Sequence, residues 1–117
     1  MLPEEAWAVR DSIQFVDVRE FYEYDSGHIE GAVHIPLRTL PARFETLDRD
    51  RPIVVACQIG QRSELAANFL REHGFDAQNL EGGMTRWASE GLPFVSNLGE
   101  KGDVVDGWAQ TLEDGEK

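Results

Sequence analysis

Apolar positions along the chain follow two periodicities. Residues 13–18 contain Ile13, Phe15, Val16 and Val18, a β-branched and aromatic run that predicts a strand delivering Asp17 and Arg19 to the loop at its C-terminal end. Ala32-Val33-His34-Ile35 predicts a short strand stopped by Pro36. Residues 53–56 are uninterruptedly apolar, the pattern of a central parallel strand covered on both faces, and the run ends at Cys57. Residues 75–80 suit a further strand. Between these runs the spacing changes to three and four. Residues 62–73 are the most strongly helical, with Leu65, Ala66, Phe69 and Leu70 on one face and Gly74 as the stop. Leu37, Leu40, Phe44 and Leu47 recur in the same way, but Pro41 predicts a break or two short pieces. Shorter helical pieces are expected from Pro3 to about Asp11, over residues 20–24 before the Asp25-Ser26-Gly27 breaker, and after Gly82-Gly83, where Met84 and Trp87 lie three apart. Strands alternating with helices predict an α/β domain with a largely parallel sheet.

The length of 117 residues suits one domain with one core. Residues 1–93 carry the alternating pattern. Residues 94–117 read as an acidic C-terminal extension, either draped on the surface or forming a short helix over residues 104–112, where Val104, Val105, Trp108 and Leu112 are the apolar anchors. The charge balance narrows the partners. With 22 acidic and 11 basic residues the formal charge is −11, which repels nucleic acid and anionic membrane surfaces. A small anionic ligand must therefore be drawn by a local positive site. No apolar run approaches the ~18 residues of a membrane span, and the acidic N-terminus lacks the basic and apolar regions of a signal peptide. The one cysteine has no intramolecular disulfide partner and points to a reducing, cytoplasmic address.

That cysteine is also the chemical focus. A buried strand ending in Cys57, a short loop with a glycine and a helix starting near Arg62 together put a thiol at the floor of an anion pocket. Loop amides, the first amides of the helix and the helix dipole favour thiolate over thiol. Gly60 permits the curl that turns several N–H groups inward, and Arg62 is expected to add a fixed positive charge at the rim. Such a cradle serves two chemistries: attack on sulfur to give a persulfide, or attack on phosphorus.

Four separated motifs resemble the rhodanese family: Asp17-Val18-Arg19-Glu20; Gly27-His28-Ile29-Glu30-Gly31-Ala32 with Ile35-Pro36; Cys57-Gln58-Ile59-Gly60-Gln61-Arg62-Ser63; and Glu81-Gly82-Gly83 with Trp87. The resemblance spans nearly all of residues 4–93. It implies a five-stranded, mainly parallel sheet flanked by helices, with the cysteine loop as active site. It also bears on loop size, because the six residues from Cys57 through Arg62 match sulfur-handling rhodaneses, whereas related phosphatases place one more residue before the arginine. The implied activity is that of a thiosulfate sulfurtransferase-type enzyme. Sulfane sulfur would pass from thiosulfate or a persulfide, small or protein-borne, through Cys57 to an acceptor such as cyanide or a thiol, without a metal or organic cofactor. Cys57 and Arg62 are then the catalytic residues, and Gln58, Ile59, Gly60, Gln61 and Arg19 bind substrate. Many thiosulfate-using relatives carry a basic residue where this chain has Gln58, which makes a persulfide donor an alternative to thiosulfate. A non-catalytic binding or regulatory module is the competing function.

Other candidates are expected to be structural. Asp17 and Arg19 form an ion pair, with Arg19 holding the loop in a secondary role. His28 bonds to backbone within its turn, and His34 and His73 lack the spacing of a metal site. Trp7 and Trp87 are core anchors, Arg86 rims the pocket, and Glu64 favours the first turn of its helix.

Overall fold

The computed structural model describes residues 1–97. In chain order the elements are α1 (Pro3–Ala8), β1 (Gln14–Asp17), α2 (Phe21–Ser26), β2 (Val33–His34), α3 (Leu40–Arg43), β3 (Ile53–Ala56), α4 (Gln61–Glu72), β4 (Ala77–Asn79) and α5 (Gly83–Ser89). The break expected at Pro41 is real. Pro41 sits in the first turn of α3, where its missing N–H costs nothing, and α3 is flanked by the 3-10 turns Leu37–Thr39 and Phe44–Thr46.

The strands form one parallel sheet in the order β2-β1-β3-β4. The register sets Asp17 of β1 beside Ala56 of β3, and Val55 of β3 beside Asn79 of β4. Parallel pairing therefore brings the C-terminal ends of β1, β3 and β4 to one edge, the usual place for a site in an open α/β sheet. Among the described residues the sheet has four strands rather than the five implied by the family resemblance. A further extended contact, between His28 and Val95, is a single antiparallel pair and too short to make a ladder.

The uninterrupted apolar run of β3 is explained by burial of all four of its residues. Successive side chains alternate between two cores. Ile53, Val55 and Cys57 join Val16, Val18, Leu40, Ala66, Ala67 and Leu70 on the side covered by α3 and α4. Val54 and Ala56 join Ala6, Phe15, Leu80, Met84 and Trp87 on the side covered by α1 and α5. Trp87 is fully buried, donates from Nε1 to the Pro93 carbonyl at 2.8 Å, and meets Trp7 and Phe15 edge to face.

Leu65 corrects the expected helix face. It is 63% exposed, because the buried stripe of α4 runs through Ser63, Ala66, Ala67 and Leu70 and leaves Leu65 outside it. At the C-terminal end, Phe94 packs on the α1/α5 core, and Val95 exchanges two backbone hydrogen bonds of 2.8 Å with His28. The segment expected as a short helix, residues 104–112, lies outside the described residues, as does everything past residue 97.

The double glycine before α5 has a geometric reason. A Cβ on Gly83 would collide with the carbonyl oxygens of Cys57 and Gln58, and its φ of +59° already disfavours other residues. Gly31 also has a positive φ, of +83°, but open space around it. Gly83→Ala should therefore cost about 3 kcal/mol in urea unfolding, against about 1 kcal/mol for Gly31→Ala. Equal losses would mean that the close approach of α5 to the loop contributes nothing.

Candidate active site

β3 ends one residue before Cys57, so the thiol stands at the C-terminal edge of the sheet, 1% exposed. Gly60 adopts φ +107°, caps α4 and donates its N–H to Cys57 Sγ at 3.1 Å. Ser63, one turn into α4, lies 3.1 Å from the same sulfur through its Oγ.

The loop is held by α5. The carbonyls of Cys57 and Gln58 accept from the amides of Met84 and Thr85 at 2.8 and 3.0 Å, satisfying donors that a helix start leaves unpaired. In a planar trans peptide the N–H points opposite to the carbonyl. The amides of Gln58 and Ile59 are thus turned away from α5.

Arg19 forms the expected ion pair with Asp17, while the side chains of Arg19 and Gln58, which the resemblance makes substrate-binding, are both bonded to other parts of the chain. Arg19 is completely buried beneath the loop. Its Nε and Nη2 bind the Asp17 carboxylate at 2.9–3.1 Å, Nη2 also donates to the Gly27 carbonyl at 2.6 Å, and Nη1 donates to Gln58 Oε1 at 3.2 Å. Gln58 in turn donates from Nε2 to Thr85 Oγ1 at 3.3 Å. Its side chain is an inward strut between the end of β1 and α5, and it carries the hydrogen bond by which Arg19 reaches the loop. A buried arginine demands this full set of acceptors, because an unpaired charge there would be strongly destabilising.

Arg62 is a second departure. Its guanidinium is bidentate on the Glu23 carboxylate, at 2.8 Å through each terminal nitrogen, so its charge is matched rather than free. Glu23 comes from α2 and is nearly buried, while Arg62 is about one-third exposed. Burial pushes the Glu23 carboxyl up, but the hydrogen bonds from Arg62 and the Glu20 amide, with the charges of Arg62 and Arg19, outweigh it and hold the group below its usual range. Arg62 is held above its ordinary value first by the Glu23 hydrogen bonds, against the lowering effect of burial, and then by the Glu23 charge and, after it, the nearby Cys57 sulfur.

The remaining loop residues face outward. Ile59 is 58% exposed and Gln61 is exposed. Beside the loop an open groove of about 650 Å³ is lined by Ile59, Gln61, Glu64, Asn79, Glu81 and Arg86. His28 bonds through Nδ1 to the Tyr24 carbonyl at 2.8 Å and stacks on the Tyr24 ring, a structural placement. Among the described residues no three His, Cys, Asp or Glu side chains converge as a metal site would require, and no helix there is long and apolar enough to cross a membrane.

Four participants escaped the sequence reading. Ser63 follows Arg62 with nothing in the sequence to assign it a contact, and Glu23 has only its three-residue spacing from Glu20 as a signal. Asn79 and Thr85 carried none, since their contacts depend on how β4 and α5 meet the loop.

The sequence profile of the rhodanese-like domain family matches residues 2–90. The chain belongs to this family. The Bacillus subtilis protein named putative sulfurtransferase YtwF is 41% identical over 83 residues, covering 71% of this chain and 81% of that one. The thiosulfate sulfurtransferase GlpE of Shewanella oneidensis is 40% identical, over 65% of this chain and 76% of its own. A crystal structure of a rhodanese-related protein from Thermoplasma volcanium superposes with a TM-score of 0.79 at 32% identity, covering 81% of this chain and 95% of that chain. This rhodanese-like domain therefore has the fold expected, with its cysteine loop at the C-terminal edge of a parallel sheet.

The Glu23–Arg62 pair gives a pH prediction. A carboxyl held low contributes stability that is complete above its ordinary value, near 4.5, and is lost as the pH falls through its lower folded value. Glu23→Gln should cost about 1–2 kcal/mol at neutral pH and flatten the acid limb of the stability curve below about pH 4.5. Parallel acid limbs for the two proteins would show that the pair does not contribute.

Proposed function

We propose that this domain is a sulfurtransferase in which Cys57 carries the sulfur as a persulfide. The observation that carries the reading is the Cys57 sulfur at the end of β3, bonded by the Gly60 N–H inside a six-residue loop that ends at Arg62. Relatives named sulfurtransferases support it.

In the first step the Cys57 thiolate attacks the outer sulfur of a donor. With thiosulfate, the S–S bond breaks, sulfite leaves with the electron pair, and the enzyme holds Cys57–S–S⁻. In the second step cyanide or a thiolate attacks the outer sulfur, and the electron pair of the S–S bond returns to Cys57 as thiolate. Charge balances in both steps without an external oxidant or reductant. Loop amides stabilise the terminal sulfur, as preorganised donors do for any developing anion. Arg62 orients the donor from the position in which Glu23 fixes it.

The donor we favour is a persulfide rather than thiosulfate. Arg62 is neutralised by Glu23, Gln58 points inward, and the groove beside the loop carries Glu64 and Glu81 against Arg86. A dianion meets little net positive charge here. A persulfide presents one charge and a sulfur equally open to attack.

Incubation with a low-molecular-weight persulfide, read by intact-protein mass spectrometry, should add one sulfur atom to the wild type and none to Cys57→Ser. Addition to both, or to neither, would remove the mechanism and leave the binding-module reading. A second experiment tests donor choice. In Gln58→Lys the new ammonium is repelled by Arg19 and turns to the mouth, so kcat/KM for thiosulfate should rise about three- to tenfold at low salt and lose the gain in 0.5 M salt. No gain at low salt would mean that charge at position 58 does not limit thiosulfate use.

A further inference from the structure

Ser63 stands between the Cys57 sulfur and β4. Its Oγ is 3.1 Å from Sγ, and its hydroxyl donates to Asn79 Oδ1. The Asn79 amide fixes that direction. Its Nδ2 donates to the Gly60 carbonyl at 3.2 Å and to the Glu64 carboxylate at 3.1 Å, two groups that only accept. Turning the amide over would set oxygen against both. Oδ1 therefore faces Ser63, and since an amide oxygen only accepts, the single hydrogen of the hydroxyl is committed to it. What Ser63 presents to the sulfur is a lone pair.

We infer that Asn79, acting through Ser63, is a positioning residue that favours the forms of Cys57 whose inner sulfur carries no full charge, thiol and persulfide, over the bare thiolate. In the thiol, S–H donates to Ser63 Oγ. In the persulfide, the charge sits on the outer sulfur and the inner one asks for no proton. In the thiolate, a full anion faces the Ser63 lone pair. Ser63 serves it only by swinging its hydrogen off Asn79, which strands a partly buried carbonyl oxygen.

This bears on how sulfur is released. When the acceptor attacks the outer sulfur, the S–S electron pair departs onto Cys57 Sγ as thiolate, and a less stable leaving thiolate departs more slowly. Asn79 thus lengthens the life of the loaded form. That half of the inference rests on the sulfur-carrier reading; the thiol half does not. The other charged groups on the elements that meet at the loop are Arg62, paired with Glu23 of α2, and Glu64 on α4; Arg19, paired with Asp17, at the end of β1; and Glu81 and Arg86 in the groove beside the loop. All are retained in the variants below.

The test is alkylation of Cys57 by iodoacetamide between pH 6 and 10, in wild type, Asn79→Ala, the closer-shaped Asn79→Leu, Ser63→Ala and the Ser63→Ala/Asn79→Ala double variant. Freed from Asn79, Ser63 donates to the thiolate. Both Asn79 variants should then shift the pH profile toward acid, with alkylation at pH 6 about tenfold faster, equivalent to one pH unit. The Gly60 carbonyl keeps the Glu64 amide at 3.2 Å, so the loop retains a tie there. In the Ser63→Ala background the Asn79 change should have no effect. An unchanged profile, or the same acceleration without Ser63, overturns the inference. Decay of the persulfide in dithiothreitol should be about threefold faster in Asn79→Leu. An alkylation shift with no persulfide formed in any protein would overturn the carrier reading and leave the Asn79–Ser63 coupling standing.

Discussion

The fold turns on the join between the cysteine loop and the start of α5. Two carbonyls, those of Cys57 and Gln58, have to be bonded where little water reaches, and two amides at a helix start have no partner within their own helix. Each set satisfies the other across Gly83, which lacks the Cβ that would hold them apart. The shape of the loop then depends on the seating of α5. That seating depends on Met84 and Trp87 beneath it, and through Trp87 on Phe15 of β1 and Trp7 of α1. A residue as remote as Trp7 therefore supports the orientation of the loop amides.

Charge is handled by pairing. Arg19 is buried with Asp17, and Arg62 is gripped by Glu23. Buried or half-buried ions persist only when their hydrogen-bonding capacity is met, and among the described residues no buried side-chain nitrogen or oxygen lacks a partner. The positive character available to a ligand in the loop therefore comes chiefly from backbone N–H groups and the start of α4 rather than from a free cation. Such dipoles stabilise an anion only at close range. In a chain of formal charge −11, they suit a small anion held within the loop, such as the terminal sulfur of the proposed persulfide, better than a distant dianion.

The same pairing explains what was legible in advance. Residues 53–56 announced a central strand because every position is apolar, and Cys57 at its end followed from where the run stops. Gly60 and Gly83 were visible as breakers, although only the second one's neighbours show why a side chain is excluded. The direction of Gln58 was not legible. Position 58 lies in a loop, where no periodicity says which way a side chain points, and its two partners, Arg19 and Thr85, are 39 and 27 residues away. Leu65, Ala66, Phe69 and Leu70 make an apolar stripe in the sequence, yet Leu65 lies outside the buried face. The small residues Ser63, Ala66 and Ala67 are the ones that let α4 lie close on the sheet.

By itself, then, the sequence determined the alternation of strands and helices, the parallel sheet and the position of a lone thiol between a buried strand and a helix start. These follow from local periodicity and from the chain's need to turn at particular glycines. Tertiary structure alone decided which charges are free and which polar groups govern the sulfur. The partnerships of Arg62 with Glu23, Gln58 with Arg19, and Ser63 with Asn79 join residues 16 to 39 positions apart. They exist because parallel pairing gathers the strand ends at one edge, where each buried donor and acceptor must find a partner from whatever elements arrive there.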